Sequence, residues 1–256
     1  MSKIDVTAPG KKAEKGGGHP LTREIRKMEE IFQSLGFEIA DGPWIETEEI
    51  NFDSLNVPKN HPARDMQDTF WIKNLDETVL RTQTSDVQIR YMRNHKPPIR
   101  IISPGRVFRN EATDARHEAE FHQMEGLLIG ENVSVANFKA IIQTFIERYI
   151  GDNNLKFRTR PGYFPFVEPG FEIDSSCFIC NGEDKNCGLC SGTGWVEIIP
   201  GGMVHPNVLK AGKIDVEKYQ GFAFGLGVER IIMMKYGVKD IRELLNSEVE
   251  MIKQFN

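Results

Sequence analysis

The chain has 256 residues, 39% of them hydrophobic and 27% charged, with a formal net charge of −5. That length allows one large domain or two small ones, and a core that needs no disulfides. The acidic balance argues against a chain that grips nucleic acid by bulk positive charge, and no apolar run reaches the roughly 18–20 residues of a membrane span.

Residues 1–18 combine Lys3, Lys11, Lys12 and Lys15 with Gly16, Gly17 and Gly18. Such a stretch cannot bury enough apolar surface to order itself, so a flexible tail is expected, followed by one domain over 19–256. Ile25, Met28, Phe32 and Leu35 recur at spacings of three and four and predict a helix from Leu21, with Gly36 at its stop. Residues 36–43 read as a strand running into Pro43. Strands are expected at 69–72 and 79–82, a helix at 85–95, and strands at 100–102, 106–110 and 121–129. The last two are joined by a charged loop over 111–120. Residues 134–150 form an amphipathic helix, with Val135, Phe138, Ile141, Ile142, Phe145 and Tyr149 on one side. Strands follow at 155–160, 172–175, 195–199 and 221–225, with helices at 228–236 and 241–255. Helices that bracket strands without regular alternation predict an α+β fold, a mostly antiparallel sheet flanked by helices.

All four cysteines lie close together, in an insertion between two of the strands. Cys177-Phe-Ile-Cys180-Asn-Gly182 and Cys187-Gly-Leu-Cys190-Ser-Gly192 repeat one pattern, C-x-x-C-x-G. Two residues between thiolates let both sulfurs face one ion, and the glycine supplies the positive φ that such a knuckle needs. Residues 177–192 are therefore a candidate four-cysteine metal site, with zinc the first choice and iron an alternative. No histidine or carboxylate joins the pattern as an extra ligand, which points to a structural role. Cys187 to Gly194 also resembles half a site of the zinc module of Hsp40-type chaperones, which keeps a binding module in view.

Residues 106–125 present a strand, an Arg-x-Glu step at Arg109 and Glu111, a charged loop, and a strand that begins on Phe121. This resembles motif 2 of the class II aminoacyl-tRNA synthetases. Residues 36–43 resemble the proline-ending motif 1, and Gly225-Leu-Gly227-Val-Glu-Arg230 resembles motif 3, in the right order. Asp5-Val-Thr-Ala-Pro-Gly, Phe52-Asp-Ser-Leu-Asn-Val-Pro, His61-Pro-Ala-Arg-Asp-Met-Gln-Asp-Thr-Phe, Phe164-Pro-Phe-Val-Glu-Pro and Gly202-Met-Val-His-Pro-Asn narrow the match. From about residue 4 onward the chain resembles the family of bacterial phenylalanyl-tRNA synthetase α subunits. That family begins with a coiled-coil arm that contacts tRNA, which is not seen in this chain, so the resemblance implies a shortened form.

The resemblance implies a class II catalytic domain with a small zinc-knuckle insertion built on the four cysteines. It implies ATP-dependent activation of L-phenylalanine to the adenylate, release of pyrophosphate, and transfer to tRNA(Phe). The expected partner is a β subunit in an (αβ)2 heterotetramer, in the cytoplasm and away from membranes. Arg109 and Arg230 would be the catalytic cations. ATP would meet Arg109, Glu111, Arg116, His117, Phe121, Gly225, Gly227 and Arg230. Phenylalanine would meet Gln83, Ser85, Gln88, Gln123, Glu125, Phe164, Phe166, Val167 and Ala223. Glu168 would hold Mg2+, shared with the β subunit, and Cys177, Cys180, Cys187 and Cys190 would hold Zn2+. One departure stands out: Gln83 occupies a position where the family pattern has histidine. A catalytically silent relative is the competing reading, and the joint presence of Arg109, Glu111, Phe121 and Arg230 favours the enzyme.

Overall fold

A computed structural model describes residues 17–65, 68–246 and 248–255. The tail expected over 1–18 lies outside them except for Gly17 and Gly18. Helix α1 (Pro20–Ser34) opens on Pro20, whose fixed φ suits the first helical position, and the His19 ring accepts the Leu21 N–H at 3.3 Å. Of the strand expected over 36–43, only β1 (Glu38–Ile39) forms. Ala40 adds one bond to the Ile102 carbonyl, and Pro43 has no N–H with which to continue.

Strand β2 (Ile45–Thr47) pairs with β3 (Thr78–Leu80) as a separate two-stranded ribbon, and between them lie α2 (Glu48–Asn51) and single turns at Asp53–Leu55 and Pro62–Arg64. The strand expected over 69–72 does not form. Thr69 instead turns back on itself, its N–H bonding to Asp65 and its hydroxyl to Ala63, and only Trp71 bridges to Val79.

Helix α3 (Ser85–Asn94) leads into β4 (Ile99–Phe108), one strand where two were expected. β1 pairs only with Ile101 and Ile102, so β4 is already an edge at Pro104, where a missing N–H is tolerated. Strand β5 (Glu120–Gly130) and α4 (Val135–Ile150) follow, the helix opened by a capping box between Ser134 and Asn137. Next come β6 (Phe157–Pro161), β7 (Val167–Ser176), β8 (Trp195–Val204), α5 (Pro206–Ala211), β9 (Gln220–Gly227) and α6 (Val228–Tyr236). The chain closes on two short helices, α7 (Ile241–Leu245) and α8 (Val249–Lys253), instead of one. Asn246, at φ −74° and ψ 146°, leaves the helical region between them.

Seven strands form the main sheet in the order β1-β4-β5-β9-β8-β7-β6. Only β1 against β4 is parallel; every other neighbouring pair is antiparallel. One face packs on α1, α4 and α6 through Met28, Phe32, Phe138, Phe145, Phe222 and Phe224. The Phe32 ring stacks on Phe145 at 4.4 Å and on Phe224 at 5.3 Å. Fully burying such rings contributes roughly 1.5–3 kcal/mol each. The opposite face gathers Ile89, Met92, Ile101, Leu127, Ile129 and Ala223 under α3 and α5.

Candidate active site

Side chains alternate across a strand, and β9 uses this to make space. Phe222, Phe224 and Leu226 fill the helix-covered face. The other face carries only Gly221, Ala223, Gly225 and Gly227. On the neighbouring strand, Leu127 lies opposite Ala223, Glu125 opposite Gly225, and Gln123 opposite Gly227. Large groups on β5 thus face small ones on β9, and a cleft of about 500 Å³ opens over the middle of the sheet. Gly126 serves the same packing from behind, because a Cβ there would overlap the Phe224 ring.

The cleft brings together Ser85, Gln88, Arg109, Gln123, Glu125, Phe164, Phe166, Ala223, Gly225, Gly227 and Arg230 of the predicted set. At its polar floor the Glu125 carboxylate accepts the Ser85 hydroxyl and, at 3.0 Å, the Gln88 amide. Burial pushes the Glu125 carboxyl up to about 7. Beside it Asp86 is fully buried, and burial pushes its carboxyl up to about 8 against the pull of Arg81. At the apolar end Phe164 and Phe166 lie with centroids 6.0 Å apart.

Arg109 stands at the end of β4, where the ladder opens into the charged loop. Its Nε donates to the Thr82 carbonyl at 3.2 Å, its Nη1 lies 4.0 Å from Glu111, and its guanidinium sits 5.1 Å from the Phe121 ring centroid. Burial draws its pKa down and Glu111 and Glu125 draw it back up, and a guanidinium remains charged throughout. Glu111 and Phe121 therefore reach the site through Arg109, without lining the cleft themselves. Arg116 and His117 stay in the exposed loop, where Asp114 accepts the His117 and Arg116 backbone N–H groups and pairs with the His117 ring.

Three other predicted residues lie off the cleft. Gln83 donates its amide to the Asn51 carbonyl at 2.8 Å. Val167 is buried in the apolar layer below. Glu168 is largely exposed, 3.3 Å from the His205 ring.

Leu55, Glu197, Ile198, Pro200, Gly201, Val204 and Val208 also line the cleft and were not expected there. Five of them belong to β8, which runs on through Pro200, Gly201 and Gly202 to Val204, residues that read locally as a break. Leu55 arrives on a turn that Asn56 ties to the segment between Phe164 and Phe166, donating to the Pro165 carbonyl at 2.7 Å, and that Asn207 of α5 holds by donating to the Asn56 side chain at 3.0 Å. The alternation in Gly221-Phe-Ala-Phe-Gly-Leu-Gly227 was the available signal for the β9 lining.

The knuckle forms as its pattern requires. Gly182 and Gly192 take φ of 85° and 75°, the left-handed region open to glycine. The four sulfurs all lie within 4.8 Å of one another, with Cys177 3.8 Å from Cys187 and Cys180 3.6 Å from Cys190. A tetrahedral zinc with bonds of about 2.3 Å spaces its sulfurs by about 3.8 Å, so the residues present fit that ion. Backbone N–H groups of Asp184 and Gly182 hold the Cys180 thiol down to about 7. Among the described residues this is the one cluster of three or more such ligands; Glu168 has no comparable company.

A sequence profile described as the tRNA synthetases class II core domain (F) matches residues 3–255. Phenylalanine–tRNA ligase alpha subunits from Clostridium botulinum (strain 657 / Type Ba4) and Caldanaerobacter subterraneus subsp. tengcongensis are 50% identical over 252 residues, spanning 98% of this chain and 73% of each relative. The corresponding subunit from Clostridium perfringens (strain ATCC 13124) is 51% identical over the same span. Among solved structures, the pyrrolysyl-tRNA synthetase of Desulfitobacterium hafniense superposes with a TM-score of 0.65 at 18% identity, covering 90% of this chain and 74% of that one. At that identity the likeness speaks for the fold. With the family profile spanning the cleft from end to end and close relatives covering nearly the whole chain, this protein belongs to the class II tRNA synthetase core-domain family, among the phenylalanine–tRNA ligase α subunits.

Proposed function

We propose that the chain activates L-phenylalanine with ATP to phenylalanyl-adenylate, releases pyrophosphate, and passes the amino acid to tRNA(Phe) with a β subunit. The observation that carries this is the division of the cleft: cations Arg109 and Arg230 at one end, a buried carboxylate with its donors in the middle, and an aromatic-walled apolar end. Joining a carboxylate to an α-phosphate brings two anions together and spreads charge over phosphoryl oxygens. Fixed cations offset that charge in the transition state. Arg109 would grip both oxyanions, Arg230 would meet the far phosphates or the free face of the adenine, and Phe121 would stack on that base. Glu111 would accept the adenine amino group. Glu125, Gln123, Ser85 and Gln88 would hold the amino acid's charged groups, and Phe164, Phe166 and Ala223 its ring.

Mg2+ would enter with the ATP phosphates. Glu168 alone cannot form a magnesium site and would need ligands from the nucleotide or the partner. Zn2+ would sit on the four cysteines as a staple for the insertion. Metal analysis of protein purified without added metal is expected to give about one equivalent of zinc. Less than half an equivalent, or iron in its place, contradicts this assignment.

A β-subunit partner fits the exposed apolar side chains Ile39, on the edge strand β1, and Trp44 and Ile45, which follow it. None of the described helices is long and apolar enough to cross a membrane. The deciding experiment is phenylalanine-dependent pyrophosphate exchange, with and without the β subunit. No exchange in either condition overturns the reading.

The ring end also predicts specificity. Ala223 carries the only side chain that β9 presents on the cleft face, its neighbours there being Gly221, Gly225 and Gly227. Ala223→Gly is expected to raise kcat/KM for para-chlorophenylalanine by about 10- to 100-fold, at little cost to phenylalanine. An unchanged preference would place the ring elsewhere.

A further inference from the structure

The end of the β5–β9 ladder holds a buried carboxylate bound to a histidine, Glu229 to His122, that the proposed chemistry does not use. That ladder runs from Gly130 opposite Gln220 to Gln123 opposite Gly227, and then stops because the chain turns into α6 at Gly227. One residue further along β5, His122 still pairs with Arg106 of β4, but on the β9 side no strand remains to accept its N–H. The Glu229 carboxylate takes over that role. Its two oxygens accept the His122 N–H at 3.0 and 2.9 Å, and its Oε1 meets the His122 Nδ1 at 2.7 Å. The Glu229 side chain is 1% exposed. A helix first turn thus supplies, from a side chain, the acceptor that the next strand residue would have offered.

The neighbours of this pair give it a consequence. His122 lies between Phe121 and Gln123, and Glu229 immediately precedes Arg230. A carboxylate buried this completely is costly unless its oxygens are matched, and here both are matched to a single residue of one strand. The pair therefore fixes the start of α6 against β5 one residue from Phe121, which pairs with Val107 of β4. We propose that His122 and Glu229 are positioning residues that set the spacing between the Phe121 ring and the Arg230 side chain. They would thereby set the affinity for the nucleotide without touching it. This rests on the ATP-dependent activation proposed above.

The test uses the chain co-produced with its β subunit and reads phenylalanine-dependent pyrophosphate exchange. Glu229→Ala is expected to raise the KM for ATP by about tenfold while the KM for phenylalanine stays within about twofold. Glu229→Gln keeps one oxygen for the His122 N–H and is expected to recover most of that loss. A general loosening of the fold would raise both KM values together and would not distinguish glutamine from alanine; either result overturns the proposal. If Glu229→Ala does not yield a folded complex, His122→Leu keeps the backbone N–H and removes only the ring contact. A rise of about threefold or more in the KM for ATP then supports the proposal, and an unchanged value overturns it. Absence of exchange by the unmodified complex removes the activity itself, and the positioning role with it.

Discussion

Arg109→Ala is expected to lower phenylalanine-dependent pyrophosphate exchange by about a thousandfold or more, with the fold retained. The guanidinium leans on the Thr82 carbonyl, the Glu111 carboxylate and the Phe121 face, and each is a partner the structure can lose. Thr82 keeps its own N–H bond to Asn51 at 3.2 Å, so the segment beneath Arg109 stays anchored without it. What the reaction loses is a planar fork able to hold two oxyanions at once. Arg109→Lys supplies a point charge of the same sign and is expected to recover no more than about tenfold of the loss. An Arg109→Ala complex that turns over at a near-normal rate would show that the cation acting on the α-phosphate lies elsewhere.

Glu125→Gln should raise the KM for phenylalanine by about a hundredfold or more, because the substrate ammonium loses its one buried anionic partner. The pH dependence follows from the same burial. Burial holds the Glu125 carboxyl up at about 7, and only its ionised form pairs with an ammonium. Below that value a proton must be displaced before substrate binds, so the KM for phenylalanine should rise by about tenfold per pH unit on the acid side and flatten above about pH 8. Glu125→Gln should abolish that slope.

Stability moves the other way. The folded state holds this proton more tightly than the unfolded chain, whose carboxyl titrates near 4.5. The stabilising contribution is complete below that value and is lost as pH rises through about 7. At pH 8 Glu125→Gln should therefore melt higher than the unsubstituted protein, provided that Ser85 and Gln88 keep their bonds to its amide. Lower stability at pH 8 together with a normal KM would make Glu125 a structural carboxylate.

Much of this architecture was readable because it rests on period and local chemistry. The apolar stripes of α1 and α4 and the short apolar run at 221–225 each state their own element. The cysteine knuckle was readable for a related reason: C-x-x-C-x-G specifies both ligands and backbone. What escaped was decided by neighbours. Pro104 and Gly105 look like an interruption, yet β4 runs through them because β5 pairs with the whole length. Pro200 and the two glycines after it likewise disguise the second half of β8. Leu55 joins the cleft on a turn held by distant contacts, among them that from Asn56 to Pro165, a link over 109 positions that no local pattern carries. Gln83 marks a further limit, since a motif position does not say which way an amide will turn.

The small-and-large alternation of β9 also bears on how errors in folding are expressed. A slip of β9 by one residue against β5 would swing Phe222, Phe224 and Leu226 into the cleft and leave the glycines facing α1 and α4. The pocket would be plugged and the helix layer hollowed by the same event. A misregistered chain would thus lose its substrate site and its core together, so no long-lived species with a distorted, error-prone pocket would accumulate. Catalytic fidelity is in this sense guarded by the folding of a single strand.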